Sequence, residues 1–168
     1  MGDVIIRHAT EADAEAIRQI YNYEVEFETA TFDLVPRTLE DQIAWQNARQ
    51  GAFCVYVAEL DGEVVGFGAL SPYKERAAYR TSVEDSVYVR RDLGRHGIGR
   101  AMLSHLLTAA ADGGFHSVMA RITTLSTGSI ALHESVGFQL VGIEREIGRK
   151  FNKWLDVALM QCLLHEIR

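Results

Sequence analysis

Residues 82–100 constrain this chain more than any other stretch. Ser82–Val89 alternates strictly, with Val83, Asp85, Val87 and Val89 on one face and Glu84, Ser86 and Tyr88 on the other, the period of a β-strand. After a turn over 91–96, Ile98, Met102, Leu103, Leu106, Leu107 and Ala110 recur at helical spacing, and Gly113-Gly114 ends the run. A strand that feeds an amphipathic helix through Gly94-Arg95-His96-Gly97-Ile98-Gly99-Arg100 sets the helix's first turn at the strand's end. That turn carries unpaired amides and the positive end of the helix dipole, so it suits an anionic group. The same glycines also suit a turn that only packs helix on sheet. No Gly-Lys-Ser/Thr follows, and Met102 stands where a dinucleotide fingerprint needs its third glycine, so both common nucleotide loops are excluded.

The remaining pattern is mixed. Val4-Ile5-Ile6 predicts a first strand, and Thr10-Glu11-Ala12-Asp13 a capping box opening a helix with Ala16, Ile17, Ile20 and Tyr21 on one face. Pro36 and a second box, Thr38-Leu39-Glu40-Asp41, predict a helix that carries Leu39, Ile43 and Ala44. Residues 54–60 and 63–70 are β-rich and joined by Asp61-Gly62, the signature of a tight antiparallel hairpin. Strands are expected over 118–122, 140–147 and 156–163, with a short helix over 129–135. The expected fold is α/β of the α+β type, a mixed and mostly antiparallel sheet flanked by helices, rather than a doubly wound nucleotide fold.

At 168 residues the chain is expected to form one domain, 1–168. Its 48% hydrophobic and 24% charged residues rule out a disordered or fibrous reading. Seventeen Lys and Arg against 23 Asp and Glu leave a net charge of -6, which disfavours nucleic acid as partner. No apolar run approaches the ~18 residues of a membrane span. No leader is recognisable, and the Met1-Gly2 start lacks the Ser or Thr that acylation wants at Ile6. A cytoplasmic protein is expected. Cys54 and Cys162 lie far apart in apolar segments, as reduced core thiols do, and no metal site is expected.

Three segments together resemble a family: Val87-Tyr88-Val89, the Gly97-Ile98-Gly99 loop, and Ser129-Ile130-Ala131-Leu132-His133-Glu134-Ser135-Val136-Gly137-Phe138 are similar to the GNAT superfamily of N-acetyltransferases. More narrowly, Thr31-Phe32 with Pro36-Arg37-Thr38-Leu39, then Tyr73-Lys74 through Glu84-Asp85-Ser86, then Gly148-Arg149-Lys150-Phe151-Asn152-Lys153-Trp154-Leu155-Asp156, resemble the phosphinothricin acetyltransferase group. The resemblance covers nearly the whole chain. It implies a sheet with two splayed strands whose gap takes the pantetheine arm of acetyl-CoA against Val87, Tyr88 and Val89. It also implies a pyrophosphate on the amides of Arg95, His96, Gly97, Ile98, Gly99 and Arg100, and a homodimer. Two positions depart from the pattern: Gly94 replaces an Arg or Gln, and Ser126 replaces an Asn that would contact the cofactor.

The implied reaction is direct acetyl transfer to the primary amine of a small amino-acid-like substrate such as phosphinothricin, methionine sulfoximine or methionine sulfone. Glu84 alone reads as a charge paired with an arginine; at its family position it becomes the base that accepts the amine's proton. His133 is a candidate cofactor contact and thiolate acid, or a histidine at the rim of the core. Tyr73, Lys74, Arg76 and Arg80 are candidates for the substrate's anionic end, against the plainer reading of a solvated basic loop. Phe151 and Trp154 are candidates for a pocket wall, a dimer interface or the core. The alternatives are acetylation of another amine or of a peptide N-terminus, and a CoA-binding module without catalysis.

Overall fold

The computed structural model describes residues 2–167, so Met1 of the Met1-Gly2 start lies outside them. Seven strands form one sheet: β1 (Ile5–His8), β2 (Tyr56–Leu60), β3 (Glu63–Pro72), β4 (Ser82–Val89), β5 (Ser117–Thr123), β6 (Gln139–Lys150) and β7 (Lys153–Leu163). Their order is β1-β2-β3-β4-β5-β7-β6. Among the described residues every pairing is antiparallel except β4 with β5. Parallel neighbours need a crossover, and α3 (Ile98–Asp112) supplies it. The other helices are α1 (Ala14–Phe27), α2 (Leu39–Asn47) and α4 (Thr127–Ser135).

Strand alternation divides the core into two layers. Tyr56, Ala58, Leu60 and Val83 join the layer under α3, whereas Val55, Val57 and Phe67 join the layer under α1. All six apolar positions predicted on α3 are buried. Each of the five larger ones, Ile98, Met102, Leu103, Leu106 and Leu107, is worth about 1.5–3 kcal/mol on leaving water, so α3 is anchored firmly against the sheet. The predicted faces of β4 separate in the same way: Val87 and Val89 pack under α3, and Tyr88 stacks on Phe67 on the α1 side.

Local signals meet the structure unevenly. The Asp61-Gly62 turn has φ of 51° and 84°, as a two-residue hairpin requires. Thr38 caps α2 by accepting from the Asp41 amide at 3.1 Å. At Thr10, however, the box closes a single 3-10 turn, Glu11–Asp13, and α1 begins only at Ala14. The second box does open α2 as expected; of its residues Leu39 is exposed, and the one that the helix buries is Gln42. The Gln42 side chain accepts from Arg37 at 3.1 Å and donates to Gln46 at 3.1 Å, which removes the penalty of burying an amide.

Candidate active site

The parallel pairing of β4 with β5 is short. It runs over Ser82↔Ser117, Val83↔Val118 and Glu84↔Met119 and then stops, although β4 continues to Val89 and β5 to Thr123. Beyond Glu84 the strands diverge, and the edge of β4 that faces β5 has no strand partner. A cavity of about 510 Å³ occupies the gap, within the range of small-molecule sites. Residues 84–88 of β4 form one wall and 121–123 of β5 the other; Ser126, Ser129 and His133 close one end, and Thr31, Phe32, Glu144 and Ile147 the other.

Two charged pairs stand in this cleft. Glu84 reaches across its apex to Arg121, whose Nε and Nη2 donate to the two carboxylate oxygens at 3.1 and 3.0 Å. The pair is partly open, with the Glu84 side chain 20% and that of Arg121 54% exposed. Glu84's hydrogen bond, above all, raises the Arg121 pKa, opposed by burial and helped by Glu144 and Tyr73 nearby. The second pair is buried. Asp85 points from the α3 face of β4 to His133, with Nε2 and Oδ2 2.7 Å apart, while Nδ1 of the ring lies 2.7 Å from the Ser129 carbonyl. Burial pushes the His133 pKa down, but the charge and hydrogen bond of Asp85 and the Ser129 carbonyl outweigh it, and the net shift is upward. Both ring nitrogens face acceptors, so the site favours the imidazolium.

The end wall is held by Lys150, a buried ammonium that donates to the carbonyls of Glu24 at 3.1 Å and Thr31 at 2.9 Å. Burial lowers its pKa, against the pull of Glu24, Asp33 and Glu28. The Phe32 ring lies so close over β6 that a Cβ on Gly148 would sit 2.2 Å from it, which only glycine permits. A bulge in β6 between Glu144 and Gly148 brings Ile147 to the cavity.

Of the residues expected to bind the cofactor, Val87, Tyr88, Ser126 and His133 line the cavity. Val89 and the 95–100 turn lie beyond it, where β4 leads into α3. Gly97 is the N-cap of α3 at φ 79°, a left-handed conformation suited to glycine, and no side chain caps the helix. Arg95 and Arg100 are exposed there. A free strand edge that leads to an uncapped, arginine-flanked helix start fits acetyl-CoA: residues 85–89 for the pantetheine amides and residues 95–100 for the phosphates.

Of the expected substrate residues only Glu84 lines the cavity. Lys74, Arg76 and Arg80 are exposed on the loop before β4, and Lys74 lies 5.0 Å from the ring centroids of both Tyr73 and Tyr79. Among the described residues those three cations have no ion-pair partner. Phe151 and Trp154 are exposed and outside the cavity, with the Arg149 guanidinium over the Trp154 ring at 4.7 Å. The residue that sequence reasoning missed is Arg121. Its signal was a lone charge inside the apolar run Val118-Met119-Ala120-Arg121-Ile122. Cys54 and Cys162 are free, and burial above all pushes the Cys162 thiol up to about 11, well away from a nucleophile's range. Among the described residues no cluster of His, Cys, Asp or Glu is suited to a metal ion, and no helix is long and apolar enough to cross a membrane.

Comparison with known proteins agrees with this architecture. The chain is 37% identical over 162 residues to the L-amino acid N-acyltransferase MnaT of Escherichia coli, covering 96% of this chain and 94% of that protein. It is 36% identical over 160 residues to a phosphinothricin N-acetyltransferase of Streptomyces coelicolor, covering 93% and 94%. A Salmonella typhimurium acetyltransferase solved with acetyl-CoA superposes with a TM-score of 0.93 at 35% identity, over 97% of this chain and 95% of that one. With residues 6–159 also matching the acetyltransferase (GNAT) domain, the chain belongs to the GNAT acetyltransferase family.

Proposed function

We propose that this protein transfers an acetyl group from acetyl-CoA directly to the primary amine of a small amino-acid-like substrate, of the phosphinothricin, methionine sulfoximine or methionine sulfone type. The observation that carries this reading is a carboxylate, Glu84, set at the apex of the β4/β5 cleft whose free strand edge fits the cofactor arm. Acetyl-CoA supplies the activated acetyl thioester. Glu84 accepts the ammonium proton of the substrate, directly or through one water, and so frees the nucleophilic lone pair. A backbone amide near Val89 polarises the thioester carbonyl. His133, held by Asp85 and Ser129, ties α4 to β4 and keeps a positive charge beside the site; to protonate the leaving thiolate its Nε2 would have to leave Asp85. The unpaired cations of the 73–80 loop draw anionic substrates toward the cleft and repel polycations.

A homodimer and a cytoplasmic location complete the reading. The dimer is supported by exposed apolar side chains along β6, at Leu140, Val141, Ile143 and Ile147, and its signature is a dimer mass in light scattering at assay concentration. The location is supported by acetyl-CoA dependence and the two free thiols.

The direct test is thiol-reagent detection of CoA release across phosphinothricin, the methionine analogues, ordinary amino acids, polyamines and an aminoglycoside. Turnover is expected with the amino-acid analogues. Glu84→Gln should lower kcat by about 100-fold or more while leaving KM for acetyl-CoA nearly unchanged. Preference for a polycation would overturn the substrate assignment.

A further inference from the structure

The Glu84–Arg121 pair uses only part of its hydrogen-bonding capacity. Nε and Nη2 of Arg121 donate to Glu84, and among the described residues nothing accepts from Nη1. A guanidinium has five N–H donors in a fixed plane, so the Nη1/Nη2 edge is left for a second, planar, two-oxygen acceptor. That edge belongs to a side chain that lines the cavity and is more than half exposed. Each oxygen of Glu84 likewise keeps a lone pair.

We infer that Arg121 is the anchor for the α-carboxylate of the substrate, so that the pair acts as a template for an α-amino acid zwitterion. The inference rests on the proposed acetyl transfer to an amino-acid amine. The ammonium sits on Glu84 and the carboxylate on the open edge of Arg121, an alternation of four charges that matches the short separation of the two groups on one α-carbon. Neither protein contact has to break. Glu144 also lines the cavity and lies near enough to act on Arg121. The arrangement selects against amines that lack an adjacent carboxylate: peptide N-termini, amino-acid amides and polyamines each leave the guanidinium edge unmatched. Lys74, Arg76 and Arg80, outside the cavity, steer the substrate rather than seat its carboxylate.

The test compares L-methionine sulfone with its α-carboxamide, an otherwise identical amine, by kcat/KM and by calorimetric titration of the CoA-loaded protein. The wild type should prefer the acid by about tenfold or more, equivalent to about 1.4 kcal/mol. Arg121→Gln should bring the ratio of the two close to one, and because a ratio is read, a general loss of activity or folded fraction divides out. Arg76→Ala should retain the preference. The inference is overturned if the wild type does not distinguish the two compounds, or if Arg121→Gln keeps the preference. Absence of CoA release with either compound would instead refute the acetyl-transfer reading, and the titrations would still measure what Arg121 contributes to binding.

Discussion

Asp85 shows how much one residue can decide. It lies on the core face of β4 between Val83 and Val87, and a carboxylate there must find a partner or cost several kcal/mol. Its partner is His133, 48 residues away. The pKa of His133 is raised above its ordinary 6.5. A raised pKa means that the stabilisation from the pair is complete below pH 6.5 and is lost as pH rises through the native value. In Asp85→Asn burial acts on the imidazole without a counter-charge and drives its pKa down, so that variant loses stability as pH falls through the ordinary value. The gap in unfolding free energy between the two proteins, measured by denaturant melts at each pH, should therefore widen from about pH 8 to about pH 5.5, reaching about 3 kcal/mol at the acidic end. A histidine NMR titration should show the variant's His133 pKa below the ordinary value. A constant gap would refute the assignment of the pair as ionised. The alternation of Ser82–Val89 made the position of Asp85 legible, and the family resemblance singled out His133, but the contact between them is a long-range one that no local pattern encodes. Arg121 stayed hidden for the same reason: its meeting with Glu84 follows from the register Glu84↔Met119.

Among the elements, α3 was the most legible and α2 the least. The six apolar positions of α3 repeat at one period and sit against one face of the sheet. In α2 the cap was readable, whereas the buried residue was not: it is an amide, Gln42, which burial tolerates because Arg37 and Gln46 satisfy it. The first turn of α3 is where an element carries function. Gly97 stands at φ 79° with nothing within 4 Å of an added Cβ, so replacing it by Ala introduces backbone strain and little else. Left-handed backbone costs a non-glycine residue about 1–2 kcal/mol. Gly97→Ala should accordingly raise KM for acetyl-CoA about fivefold or more while changing KM for the amine much less, as steady-state assays with either substrate varied would show. An equal rise in both would place the turn outside the cofactor site.

At the scale of the molecule, the mixed sheet with an antiparallel beginning was readable from the 54–70 hairpin and the strand lengths. The insertion of β7 between β5 and β6 was not, since strand order is set by which edges remain free after the βαβ unit forms. That order produces the function proposed here. Among the described residues the β4–α3–β5 crossover makes the only parallel pair in the sheet, and the early end of that pairing opens the cleft that Glu84, Arg121 and His133 line. One open cleft between two strands has room for an acyl donor and an acceptor side by side, and no cysteine lines it to take the acetyl group first. Initial velocities measured with acetyl-CoA and L-methionine sulfone varied against each other test this most directly. Direct transfer within a ternary complex predicts double-reciprocal lines that intersect; parallel lines, the fingerprint of a covalent acetyl-enzyme, would contradict it.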